Sequence, residues 1–201
     1  MPENELTRVV LASGNAGKLR ELKNTLQPLA LELLSQTQFD VPEVEETGLS
    51  FVENALIKAR AAARCSGLPA IADDSGLAVD FLNGAPGVRS ARYSGEGDDA
   101  NNRKLLAALA DVPPKQRGAR FHCALVYLQD ETDPMPLVCQ ASWAGSILTS
   151  PRGENGFGYD PLFFVPEHRC SSAELDPSIK NQISHRAKAS AALLRALQTS
   201  R

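Results

Sequence analysis

Arg8-Val9-Val10-Leu11-Ala12 is a short, largely aliphatic and β-branched run that breaks at Ser13-Gly14-Asn15, and a helical pattern follows from about Lys18. Leu19, Leu22 and Leu26 recur at spacings of three and four, and the pattern ends before Pro28. A buried strand that turns through small residues into a helix constrains the fold more than any other stretch of this chain. The period changes from strand to helix within a few residues, so the backbone must reverse its hydrogen bonding there.

The rest of the first half repeats the alternation. A short strand is expected at 31–34, then an acidic loop, Pro42-Glu43-Val44-Glu45-Glu46-Thr47-Gly48. Ser50 followed by Glu53 is a capping box, and the helix it opens carries Val52, Leu56, Ala59 and Ala63 on one face before Gly67 and Pro69 stop it. Ala70-Ile71-Ala72 predicts a short apolar strand ending in Asp73-Asp74-Ser75-Gly76. The glycine-rich stretch 83–97 reads as loop, and a helix is expected over 101–109. Two longer strands follow at 119–128 and 137–144, then a glycine-rich loop at 153–160 and a last helix from 184 to about 198. Alternating elements followed by paired strands predict an α/β protein with a mixed sheet.

The chain has 201 residues, enough for one large domain or two closely joined lobes. A formal charge of -3 argues against a general nucleic-acid or anionic-membrane binder, while leaving room for a locally basic pocket. No apolar run is long enough to span a bilayer, and the first seven residues have neither the charge nor the apolar core of a targeting signal, so a cytoplasmic location is expected. Cys65, Cys123, Cys139 and Cys170 form no C-x-x-C pair and no zinc spacing; they read as reduced thiols, with Cys123 and Cys139 in packing roles.

Three stretches can carry chemistry. Ser13-Gly14-Asn15-Ala16-Gly17-Lys18 leaves free N–H groups at a helix start, where the dipole and an ammonium favour an anion. It is not a Walker loop, because Ala12 stands where that motif needs glycine and Leu19 where it needs a hydroxyl; alone, it is also compatible with an ordinary turn. Glu45-Glu46 and Asp73-Asp74 are hard oxygen donors with no His or Cys cluster beside them, which suits Mg²⁺ better than zinc. The glutamates also fit a solvated loop. The aspartates follow so buried a run that they need a compensating cation. Phe157-Gly158-Tyr159-Asp160 offers rings that stack on a base beside a carboxylate, or a core aromatic pair at a turn. Lys58, Lys180, His185 and Arg186 are cationic donors on or near helices, where solvated charge is the ordinary expectation.

Taken together, these motifs resemble the inosine triphosphate pyrophosphatase family, the HAM1-like enzymes that remove non-standard purine nucleotides. The matching residues run in order from Val9 to about Leu197: Ser-Gly-Asn-Ala-Gly-Lys at 13–18, Glu-Glu-Thr-Gly at 45–48, Glu-Asn-Ala at 53–55 with Lys58, Asp-Asp-Ser-Gly at 73–76, Gly-Phe-Gly-Tyr-Asp-Pro at 156–161, Lys180, and Ser-His-Arg at 184–186. Ser13 departs from the threonine of many relatives but keeps the hydroxyl. The resemblance implies one catalytic domain built on a long mixed sheet with flanking helices, two lobes with the active-site cleft between them, and a homodimer. It implies Mg²⁺-dependent hydrolysis of ITP, dITP and XTP to monophosphate and pyrophosphate. Ser13, Gly14, Asn15, Ala16, Gly17, Lys18 and Lys58 would hold the triphosphate; Glu46 and Asp74 the metal; Asp74 would also be the general base. Ser75 would contact substrate, Phe157, Gly158, Tyr159 and Asp160 would hold the base, and Lys180, His185 and Arg186 would read its 6-oxo edge.

Two rivals remain at this stage. One is a triphosphate pyrophosphatase with another base preference, such as dUTP; the other is a nucleotide-binding regulator without hydrolysis, which intact Glu46 and Asp74 disfavour. An RNA-binding role lacks the basic, aromatic-rich surface it needs.

Overall fold

The structure is a computed structural model that describes residues 6–14 and 16–199. Strand β1 (Thr7–Leu11) leads into helix α1 (Ala16–Leu26), and β2 (Leu31–Ser35) returns parallel to β1, in register from Thr7 opposite Leu31 to Leu11 opposite Ser35. Helix α2 (Phe51–Ser66) then connects to β3 (Ala70–Val79), which pairs parallel with β1 on its other side. Helix α3 (Asp98–Ala108) precedes the long strands β4 (Gly118–Leu128) and β5 (Leu137–Ile147). Short β6 (Phe163–Val165) and β7 (Cys170–Ser171), then α4 (Pro177–Ile183) and α5 (His185–Thr199), complete the chain. The sheet has seven strands in the order β2-β1-β3-β4-β5-β6-β7. It is parallel through β2, β1 and β3 and antiparallel through β5, β6 and β7, the mixed α/β arrangement expected.

The chain divides into two compact units. The first comprises the chain up to Asp74, Cys123–Gln140, and the chain from Ala187; the second comprises Ser75–His122 and Ala141–Arg186. Strands β3, β4 and β5 and helix α5 each contribute to both.

In the first unit the core is built on small side chains. Ala55, Ala59, Ala62 and Ala63 of α2 pack on Val10, Ala70, Ala72, Val126 and Leu128 of the sheet. Alanine at spacings of three and four lets the helix backbone lie close to the strands, which brings the side chains along its margins near the strand ends. The capping box is formed as predicted: Ser50 Oγ accepts from the Glu53 N–H at 3.2 Å, and Glu53 accepts from the Ser50 N–H at 2.7 Å. Gly67 ends the helix with φ +66°, a left-handed turn that glycine adopts without steric cost.

The second unit has an aromatic core, with Phe121, Trp143, Tyr159 and Phe163 packed among Leu77, Leu105, Leu109 and Leu162. Arg117, only 4% exposed, donates to the Leu109, Val112 and Leu148 carbonyls at 2.6, 2.9 and 3.2 Å. A buried guanidinium is tolerable here because its donors are satisfied by three carbonyls, one at the end of α3, one just beyond it and one just after β5.

Several boundaries differ from the sequence reading: β5 runs three residues further than expected, to Ile147, and β6 and β7 are unexpected. Strand β3 does not stop at Ala72 but continues through Asp73-Asp74-Ser75-Gly76 to Val79. Helix α3 begins three residues earlier than expected, at Asp98. Residues 177–183 form a separate short helix, with Pro177 in its first turn and Asp176 accepting from the Ser178 N–H at 2.7 Å, so Lys180 is helical. Among the described residues no helix is long and apolar enough to cross a membrane.

Candidate active site

In the first unit, two consecutive aspartates sit in an extended strand, so their side chains leave opposite faces of the sheet. Each meets a different helix. Asp73, 4% exposed, receives the Lys18 ammonium from the first turn of α1 at 3.0 and 2.9 Å to its two oxygens. Asp74, 8% exposed, receives the Lys58 ammonium from α2 at 2.8 Å. The compensating cations that two buried carboxylates require are therefore both lysines of this chain.

Lys58 also donates to Glu46 Oε1 at 2.8 Å, so one ammonium joins Glu46 and Asp74. Asn54 lies one turn before Lys58 on α2 and shares its face. Its Nδ2 donates to Asp74 Oδ2 at 3.4 Å, and its Oδ1 accepts from the Gly48 N–H at 2.8 Å. This buried amide ties the acidic loop to the strand and holds Glu46 within reach of Asp74. Glycine is needed at 48, where a Cβ would stand 2.6 Å from Glu53 Cβ and 2.7 Å from Asn54 Oδ1.

The electrostatics follow from burial. Desolvation raises the Asp74 carboxyl above the ordinary range and the Glu46 charge adds to it, against the opposing pull of Lys58 and the Asn54 hydrogen bond. For Lys58, burial works to lower the ammonium, but the Asp74 charge and hydrogen bonds to Asp74 and Glu46 outweigh it and the group is raised. Lys58 stays charged, while Asp74 becomes a stronger base than a solvated aspartate.

Among the described residues no three His, Cys, Asp or Glu side chains gather into a metal-binding cluster. The donor set nonetheless fits Mg²⁺. The Lys58 ammonium marks a point where one cation reaches both Glu46 and Asp74, and Mg²⁺ is commonly held by one or two carboxylates together with substrate phosphates and water.

The second unit holds the loop 156–160. Asp160, 3% exposed, is fully engaged: Oδ2 accepts from the Phe157 N–H at 2.8 Å and from Lys180 at 2.5 Å, and Oδ1 accepts from Ser172 Oγ at 2.8 Å. A carboxylate so occupied organises the loop rather than facing a ligand. A Cβ at Gly156 would lie 2.2 Å from Asp160 Oδ2, so the inward carboxylate requires glycine there.

The two aromatic rings of this loop have different fates. Tyr159 is buried, and its hydroxyl donates to the Ser90 carbonyl at 2.8 Å; burial holds this phenol well above its ordinary pKa. Phe157 is 53% exposed, with Lys180 Nζ at 5.5 Å and Arg186 Cζ at 5.6 Å from its ring centroid. An exposed ring flanked by two cations is a surface on which an electron-rich base can stack. His185, 7% exposed, stacks on Phe121 with ring centroids 4.8 Å apart and planes 12° apart.

Lys58, Glu46 and Asp74 are thus brought together in the first unit, with Lys18 paired to the adjacent Asp73, and Phe157, Gly158, Asp160, Lys180 and Arg186 lie together in the second. Ser13 and Gly14 lie at the β1–α1 turn, Ala16 and Gly17 open α1, and Asn15 lies outside the described residues. Ser75 follows Asp74 in β3. The sequence reading treated Asp73 only as part of an acidic pair suited to Mg²⁺, and gave no role to Asn54, Ser172, Ser90, Asp98 or Asn102. Only the quoted Glu-Asn-Ala motif hinted at Asn54.

Comparison with known proteins adds independent findings. The family model described as Ham1 family matches residues 9–196. A Vibrio cholerae protein named dITP/XTP pyrophosphatase is 55% identical over 198 residues, covering 98% of this chain and 99% of that protein. A Pseudomonas syringae pv. tomato protein of the same name is 62% identical over 185 residues, covering 92% and 93%. The solved structure of a HAM1 protein from Coxiella burnetii is 50% identical, superimposes with a TM-score of 0.92, and covers 96% of this chain and 99% of its own.

Proposed function

Because the chain belongs to the Ham1 family, we propose that it is a nucleoside-triphosphate pyrophosphatase that hydrolyses non-standard purine nucleotides (dITP, ITP and XTP) to the monophosphate and pyrophosphate. Relatives at 55% and 62% identity over nearly the whole chain are named dITP/XTP pyrophosphatase. In the structure, the observation that carries the reading is the Lys58 ammonium shared by Glu46 and Asp74 at 2.8 Å each. It is a cation position framed by a metal-ligating and a basic carboxylate.

Lys18 and Lys58 are the groups to hold the triphosphate. In exchange for their carboxylate partners they take phosphate oxygens, with the N–H groups of the β1–α1 turn beside Lys18. Glu46 and Asp74 would be the residues to hold Mg²⁺, which when bound would neutralise phosphate charge. Asp74, raised in basicity by burial, accepts a proton from the attacking water. That water's oxygen joins phosphorus as the anhydride bond between the α- and β-phosphates breaks, releasing monophosphate and pyrophosphate. Asn54 keeps the carboxylate oriented, and no Ser, Cys or His nucleophile is called for.

In the second unit, Phe157 offers its exposed face to the purine, with Lys180 and Arg186 as donors toward the 6-oxo edge and His185 anchored on Phe121 beside Arg186. We read the chain as one catalytic domain, since three strands and a helix run through both units. We also read it as cytoplasmic, homodimeric and not a nucleic-acid binder, the dimer resting on the family resemblance. Light scattering tests the dimer. The activity test is pyrophosphate release from ITP, XTP, GTP, ATP and dUTP with Mg²⁺. Preferential turnover of ITP and XTP is expected; preference for dUTP or ATP would overturn the reading.

A further inference from the structure

The backbone that presents Phe157 is held by a helix with no assigned part in the site. Gly158 N–H donates to Asp98 Oδ2 at 2.8 Å, and Gly158 O accepts from Asn102 Nδ2 at 2.8 Å. Asp98 and Asn102 are four apart on α3 and therefore share a face. The Gly158 N–H belongs to the peptide plane before the glycine and its carbonyl to the plane after it. Fixing both planes fixes φ and ψ of Gly158, which sits in the left-handed region at φ +61°. Glycine does not hold that conformation by itself, since it visits many others at no steric cost.

The support behind the clamp is rigid. Asn101, 2% exposed, accepts from Ser94 N–H at 2.6 Å and Ser94 Oγ at 2.8 Å, and donates to the Ala91 carbonyl at 3.2 Å. Leu105 is fully buried on the same helix. The Phe157 N–H is meanwhile held by Asp160 at 2.8 Å, so the ring's backbone is pinned on both sides.

We propose that Asp98 and Asn102 are positioning residues for base recognition: by locking Gly158 they set the plane in which Phe157 meets the purine. The chemistry is directional. Asp98 must accept and Asn102 must donate, so Asp98→Asn, which keeps an amide oxygen, preserves the contact, whereas Asn102→Asp sets a carboxylate against a carbonyl. This inference rests on the base-binding reading of the Phe157 loop.

The test compares Asp98→Ala, Asn102→Ala, Asn102→Asp and Asp98→Asn with the parent protein. For the two alanine variants and Asn102→Asp, kcat/KM for ITP is expected to fall about ten- to a hundredfold, the cost of a small misplacement, mainly through KM. The ITP over ATP ratio should shrink with it. Asp98→Asn should recover to within about threefold of the parent, the residual reflecting a neutral acceptor in place of a charged one. Inhibition by inorganic pyrophosphate, a probe without a base, should be unchanged in all four. Amide exchange at Gly158 should quicken in Asp98→Ala and Asn102→Asp. Alanine variants with parental kcat/KM and parental base preference would overturn the proposal, as would equal loss in Asp98→Asn and Asp98→Ala or equal loss of pyrophosphate inhibition. If the parent protein does not turn over ITP, the functional reading fails by itself. Gly158 exchange then still decides the clamp, and parental exchange rates in both Asp98→Ala and Asn102→Asp would refute it.

Discussion

The two units use the same two means in different proportion. The first, built mainly on ion pairs, also has a backbone contact from Asn54 to Gly48; the second, built mainly on backbone contacts, also has the Lys180–Asp160 ion pair. In the first, charge is balanced by charge: Asp73 with Lys18, and Asp74 and Glu46 with Lys58, all through side-chain tips. In the second, the backbone itself is held: the Phe157 and Gly158 N–H groups donate to Asp160 and Asp98, and the Gly158 carbonyl accepts from Asn102. Tip-to-tip ion pairs can trade partners when a triphosphate and a metal arrive, because each new contact replaces one of like strength. Backbone clamps cannot trade and serve to hold one shape. Phosphate binding needs exchangeable charge, whereas telling one purine from another needs a fixed edge.

If that contrast is right, the largest effect belongs to the fixed half. Hypoxanthine and xanthine present a 6-oxo acceptor beside an N1–H, while adenine presents the reverse. ATP should be disfavoured against ITP by about ten-thousandfold in kcat/KM, the scale of buried donors left facing donors. Side-by-side rates within tenfold of each other would break the comparison on this side.

Next comes the proton acceptor of the exchangeable half. Asp74→Asn should lower kcat by roughly a hundredfold or more while KM for ITP changes less. Near-parental turnover in a folded variant would remove Asp74 from the chemistry.

A smaller effect sharpens the idea of exchange. Lys58→Met leaves Glu46 and Asp74 without their shared ammonium, so free Mg²⁺ should bind about tenfold more tightly, as expected when unbalanced charges face one another. KM for ITP should rise in the same variant. Calorimetric titration with Mg²⁺ alone separates this from a lysine that serves only the fold, for which metal affinity would not increase.

The smallest expected change lies again in the clamped half. Ser172→Ala removes one of the bonds to Asp160, at a cost of about 1 kcal/mol in stability. KM for ITP should move no more than a few-fold, since the Phe157 N–H and Lys180 still hold the carboxylate. Thermal melts with ITP kinetics check it, and a loss as large as that of Asp74→Asn would show that the loop is not held redundantly.

Local patterns in the chain were sufficient for everything decided within a few residues. The Ser50–Glu53 capping box and the Gly67 stop depend on neighbours in sequence, and both stand as read. The acidic pair at 73–74 announced that cations must come, because buried like charges repel. It did not say which cations, and a strand's alternation sending one carboxylate to each face is visible only once β3 is known to run on to Val79. The Phe157 loop shows the same limit. Its sequence allowed a stacking surface or a core pair, and the fold exposes Phe157 and buries Tyr159. Asp160 is tied inside the loop by three hydrogen bonds that its sequence neighbours alone do not predict. Asp98 and Asn102 carried no signal at all, since acidic and amide residues at a helix start ordinarily read as solvated. Their partner lies some sixty residues away in the chain, and only tertiary packing brings a helix face against the two peptide planes of one glycine.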